Sequence, residues 1–111
     1  MSAWLPFKDG ASIGTTGSSG TILADEEHPE GARITLEKCT HPPFELTCGV
    51  YGLMFHTRFF ATEAEGRAAY EAMKPGLADI ATSLTVHADA EVSDQEAAAG
   101  RAVDQFVRRF P

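Results

Sequence analysis

The chain has 111 residues, 43% apolar and 23% charged, and its 9 Lys+Arg against 16 Asp+Glu give a formal net charge of −7. That balance fits one ordinary globular domain, long enough to build a core without disulfides or a structural metal. No apolar run approaches the ~18 residues of a membrane span. The opening Met-Ser-Ala-Trp-Leu-Pro-Phe-Lys shows neither the basic nor the apolar region of a secretory signal, and an acidic chain with scattered Lys and Arg opposes binding to phosphate backbones. The expectation is a cytoplasmic protein with no nucleic-acid or membrane partner.

Residues 1–20 read as a flexible N-terminal arm, and residues 21–111 as a single α+β domain. Trp4, Leu5, Pro6 and Phe7 form an apolar patch suited to docking on the core. Gly10, Gly14, Gly17 and Gly20 follow among Ser and Thr, with Ile13 the one large apolar residue. The even spacing of Gly14, Gly17 and Gly20 invites comparison with a phosphate cradle. Such a loop requires a helix N-terminus behind it, and Thr21-Ile22-Leu23-Ala24 predicts a strand instead.

A first strand is predicted over residues 20–25. Asp25 to Gly31 reads as a solvated acidic turn punctuated by Pro29 and Gly31. Residues 32–38 alternate, with Ile34 and Leu36 on one side and Arg33, Thr35 and Glu37 on the other, as a half-buried strand does. After Pro42-Pro43 comes a segment from Phe44 to Phe60 in which the apolar phase changes. Leu46, Cys48 and Val50 hold one phase; Leu53, Phe55 and Phe59 hold the other. A change of phase needs a bulge or a turn. The favoured reading is one long strand bent near Tyr51-Gly52, with Leu53, Phe55 and Phe59 under the helices; the alternative is a hairpin turning there.

Two helices follow. Thr62-Glu63-Ala64-Glu65 is a capping box, and Ala69, Met73, Leu77, Ile80 and Leu84 keep helical spacing through Pro75, where a kink is expected. Residues 85–91 suit a short edge strand or an extended connection. Ser93-Asp94-Gln95-Glu96 is a second capping box, after which Ala99, Ala102, Val103, Phe106, Val107 and Phe110 form an apolar stripe. Together these elements predict an antiparallel three- or four-stranded meander followed by two amphipathic helices packed on one sheet face.

Chemistry is sparse in this pattern. Cys39, His41, Cys48 and His56 lack the paired spacing of a zinc site, so no metal or other cofactor is expected. No nucleophile elbow occurs. The one suggestive group is His56 with Arg58, two apart on one side of a strand, and Glu37 as their carboxylate partner. A histidine, a guanidinium and a carboxylate together suit a small anionic ligand or acid–base work. The leading functional expectation is a homodimeric ligand- or partner-binding module without catalytic chemistry. It rests on apolar residues on both phases between Val50 and Phe60, of which two helices can cover only one. The alternatives are a small enzyme using His56 and Arg58 at the dimer boundary, and an acidic inhibitor or chaperone-like protein capping a basic partner through Asp25 to Glu30.

Overall fold

The computed structural model describes residues 3–17, 19–40, 43–51, 53–86 and 92–111, with the backbone alone over 83–86 and 92–99. The architecture is α+β. Strands β1 (Leu5–Pro6), β2 (Thr21–His28), β3 (Ala32–Lys38), β4 (Phe44–Val50) and β5 (Met54–Phe60) form one antiparallel sheet in chain order, and α1 (Glu63–Val86) and α2 (Val92–Arg109) follow. The sheet therefore has five strands where three or four were expected. One comes from the arm, and another from dividing the segment 44–60.

That division corrects the expected long bent strand. The chain reverses after Val50, the Leu53 amide donates to the Val50 carbonyl at 3.0 Å, and β4 pairs antiparallel with β5. Val50 faces Met54, Cys48 faces His56, Leu46 faces Arg58 and Phe44 faces Phe60. Directly opposed residues share a face. Met54, His56, Arg58 and Phe60 thus join the buried side of β4, while Phe55, Thr57 and Phe59 take the opposite side. The predicted allocation of β5 is reversed.

A second correction concerns the acidic run. Only Pro29-Glu30-Gly31 turns: Gly31 sits at φ +106°, a conformation glycine adopts freely, and its amide donates to the His28 carbonyl at 2.9 Å. Asp25, Glu26 and Glu27 are strand residues of β2.

The helices cover one face. Ala32, Ile34 and Leu36 of β3 and Leu46, Cys48 and Val50 of β4 are buried there against Tyr70, Met73, Leu77, Ile80 and Ala81 of α1. Each large side chain so buried contributes roughly 1.5–3 kcal/mol. Thr62 caps α1, its Oγ1 accepting the Glu65 amide at 3.2 Å, and the helix runs through Pro75, which lies on its exposed side. α2 packs on α1, with Phe106 and Phe110 buried. Gly76 permits that approach, since a Cβ there would stand 2.9 Å from a Phe106 ring carbon. Thr85 and Val86 belong to α1; the remainder of the connection considered as a strand, and the side chains of the second capping box, lie outside the described residues.

The arm wraps around the β2 side of the sheet. Leu5 and Pro6 pair with Glu27 and Glu26. Trp4, 8% exposed, packs on the helix side, edge-on to His28 at 5.4 Å. Phe7 emerges on the other side, beneath the Arg33 guanidinium at 3.6 Å. Between them the chain turns through left-handed conformations at Lys8 and Asp9, φ 52° and 56°, which cost non-glycine residues about 1–2 kcal/mol each. The arm then returns along β2, with Gly14 donating to the Ile22 carbonyl at 2.8 Å and Ile22 donating to the Thr15 carbonyl at 3.0 Å.

Candidate functional site

The structure brings His56 and Arg58 together but gives them an internal task. Both project onto the helix-covered face, where the last residues of the chain meet β5. His56 Nε2 donates to the Phe110 carbonyl at 2.6 Å, and Arg58 Nε donates to the main-chain oxygen of Pro111 at 3.1 Å. The Arg58 guanidinium also lies 5.0 Å from the Phe60 ring centre and 5.7 Å from that of Phe110. These two side chains fasten the end of α2 to the sheet.

Glu37 is elsewhere. It pairs across the sheet with Ile22 and Glu45, on the face away from the helices, and is 1% exposed. Its Oε1 accepts the amides of Ser19 and Gly20 at 3.2 and 3.3 Å. The glycine-rich loop therefore does cradle an anion, and that anion is the chain's own carboxylate. Gly17 lies so close that any side chain there would collide with the carboxylate.

Two residues of the acidic run are also engaged internally. Asp25, 1% exposed, accepts from Arg33 Nε at 2.9 Å, Arg33 Nη2 at 2.7 Å and Thr35 Oγ1 at 3.0 Å. Hydrogen bonding to Asp25 is the main reason the Arg33 pKa is raised. On the helix face Glu26 accepts from the Tyr70 hydroxyl at 2.8 Å and Lys74 Nζ at 3.1 Å. Burial, followed by that hydrogen bond, raises the Tyr70 pKa well above its ordinary range. The two cysteines are free. Burial pushes the Cys48 thiol up to about 12. Burial, with the charges of Glu45 and Glu37, also raises the pKa of Cys39. Both thiols are protonated at neutral pH and poor nucleophiles. Among the described residues, no three His, Cys, Asp or Glu side chains converge on a metal position.

A concave feature of the molecule lies on the sheet face away from the helices. Register builds it from two rows. Glu27, Arg33, Gly49 and Phe55 form one row across β2 to β5; Asp25, Thr35, Thr47 and Thr57 form the next. Gly49 leaves a gap between a guanidinium and a phenyl ring. The resulting trough measures about 520 Å³, with Ile22, Gly17 and Glu37 at the arm end and Tyr51 beside Phe55 at the other. Arg33 lines the trough and spends Nε and Nη2 on Asp25, with Nη1 outside those two bonds. A smaller cleft of about 380 Å³ lies between α1 and α2, around Gly76, Ile80 and Phe106.

Sequence reasoning missed Asp25, Arg33, Gly49 and Phe55 as a group. Their signal was the β2–β3 turn: pairing outward from His28 and Ala32 sets Asp25 opposite Thr35 and diagonal to Arg33. No protein-family model, curated protein or solved structure matches this chain. Among the described residues, no helix is long and apolar enough to cross a membrane.

Proposed function

We propose that the chain is a non-catalytic binding module whose ligand lies in the trough on the open face of the sheet, between Arg33 and Tyr51. The observation that carries this reading is the gap at Gly49, which opens a mainly apolar floor beside a few convergent polar groups. Apolar lining with sparse, fixed polar groups is what small-molecule sites have in common. Arg33 is held by its two bonds to Asp25 and by the Phe7 ring, so its remaining donor is preorganised. Thr47 adds a hydroxyl from the neighbouring row.

The ligand class follows from charge. Arg33 is balanced by Asp25, and Glu37 adds a negative charge at the arm end. An anion gains little here, in contrast to the anionic ligand expected for a His56–Arg58 site. A flat, uncharged molecule carrying a carbonyl acceptor fits better: its ring against Tyr51 and Phe55, its oxygen on Arg33 Nη1. Two-dimensional NMR with a panel of aromatic amides and the matching carboxylates tests this. Amides should perturb the Arg33, Thr47, Gly49 and Tyr51 signals more strongly than carboxylates do, and Tyr51→Ala should weaken that response roughly tenfold, about 1.4 kcal/mol. An absence of response to every member, or one centred on Gly76 and Phe106, defeats the reading.

A further inference from the structure

We infer that a second copy of this chain docks on the uncovered half of the same sheet face, with Phe55 of each copy entering the Gly49 gap of the other. The arm covers β2 and β3 on this face, leaving β4 and β5 without cover. There Phe55 is 76% exposed, Phe59 59% and Tyr51 60%. Large aromatics are normally a chain's most buried surface, and each carries roughly 150–250 Å². At these exposures the three present roughly 400 Å² of bare ring per copy, at the scale of the largest patch found on typical monomers.

The occupant is identified by register. On this half, β4 presents Glu45, Thr47 and Gly49, and β5 presents Phe59, Thr57 and Phe55 opposite them. Gly49 is on one strand and the two phenyl rings are on its neighbour. A two-fold axis running between β4 and β5, parallel to the strands, lays β5 of one copy over β4 of the other. Phe55 then meets the Gly49 gap, Thr57 meets Thr47, and Phe59 covers the stem of Glu45. Each contact occurs twice, as an isologous interface requires, and packed sheets keep nearly aligned strands about 10 Å apart. The arm-covered halves fall outboard, beside the partner's β5, and do not obstruct.

Charge and area support the same occupant. Each copy carries −7, so copies repel, except where a surface is close to neutral; Glu45 is the one charged side chain among these six positions, at the rim. The aromatic area is about half of the ~800 Å² per partner of a standard interface, and the threonines extend it. That size gives a reversible dimer. A phenyl ring fills only part of a 520 Å³ trough: the partner's Phe55 takes the Gly49 end, in competition with a ligand ring lodged there, and leaves the space beside Arg33. The inference goes beyond the ligand reading, and ligand-free protein tests it, so either can fail alone.

Sedimentation velocity across micromolar to millimolar concentration is the test. The wild-type mass should rise from 11.9 kDa toward twice that value, and association should strengthen with salt, which screens repulsion between like-charged copies. Phe55→Glu and, separately, Phe59→Glu should each weaken association about 100-fold or more. Both sites are exposed, so circular dichroism should show the monomer fold intact. Val107→Glu, on the exposed side of α2, should leave association unchanged. A constant 11.9 kDa species overturns the inference. So does a dimer that survives both phenylalanine changes, which would assign it to pairing along the free edge of β5, and so does a dimer dissolved by salt.

Discussion

The two faces of the sheet obey opposite rules. On the helix face the buried residues are Ile34, Leu36, Leu46 and Val50, as alternation and the hydrophobic effect require. On the open face Ile22 is buried together with two carboxylates, Asp25 and Glu37, while the phenyl rings of Phe55 and Phe59 face solvent. The difference teaches that burial there is decided by the arm. Where it crosses β2 and β3 it covers acids whose bonding needs are met by Arg33, Thr35 and the Ser19 and Gly20 amides. Where it stops, apolar side chains stand bare.

The largest effect that sharpens this contrast comes from a matched pair of truncations. Leu36→Ala on the helix face should cost about 2–5 kcal/mol in denaturant unfolding, because it leaves a cavity among fixed neighbours. Phe55→Ala on the open face should cost the monomer less than about 0.5 kcal/mol. Equal losses would dissolve the distinction between the faces. Next comes Arg33→Met, which strands Asp25 without its main partner. Breaking a fully buried pair costs about 3–5 kcal/mol; Arg33 is 34% exposed at its side chain, so solvent reduces the expected loss to about 2–3 kcal/mol. Adding Asp25→Asn should recover part of it, measured as a double-mutant cycle.

A smaller effect, graded with pH, separates the thiol on the helix face from bulk solvent. Cys48 has an ordinary pKa of 9.0 and about 12 in the fold. Between those values the native state holds a proton that the unfolded chain has released, so stability falls as pH rises, by at most ~1.4 kcal/mol per unit for one group. Below pH 9.0 the contribution is complete. Unfolding midpoints from pH 8 to about 11 should decline less steeply in Cys48→Ala than in the wild type. Parallel slopes would mean that the thiol is already open to water.

Much of this fold was legible in one dimension. β3 appears with the predicted bounds, Thr62 caps α1, and Phe106 and Phe110 turn inward as the helical spacing requires. The division at Tyr51 was not decidable from pattern, because a bulge and a tight turn both reverse the apolar phase, and glycines at 49 and 52 suit either. Once the chain turns, the β4–β5 register carries His56 and Arg58 under the helices, and with that the expected ligand site becomes a fastening for Phe110 and Pro111. β5 is apolar on both phases, so hydrophobicity alone could not tell Phe55 and Phe59 from Met54 and Phe60. The acidic run misled for a different reason. Charge next to proline usually marks solvent, but Asp25 is answered by Arg33 from the adjacent strand, and Glu26 by Lys74 from α1. Two of the acids that motivated a capping role for a basic partner, Asp25 and Glu26, are thus paired within the chain.

The two margins of the sheet are finished differently, and that limits how copies can associate. On one side β1 is two residues long, ends in Pro6, which has no amide hydrogen to offer, and leaves β2 already engaged by Gly14 and Thr15. Further strands cannot be templated there. On the other side β5 runs for seven residues as the last strand. Endless growth by strand addition requires two receptive margins on every molecule, one to give and one to take. With a single receptive margin among the described residues, edge-to-edge contact would end at a pair rather than a filament.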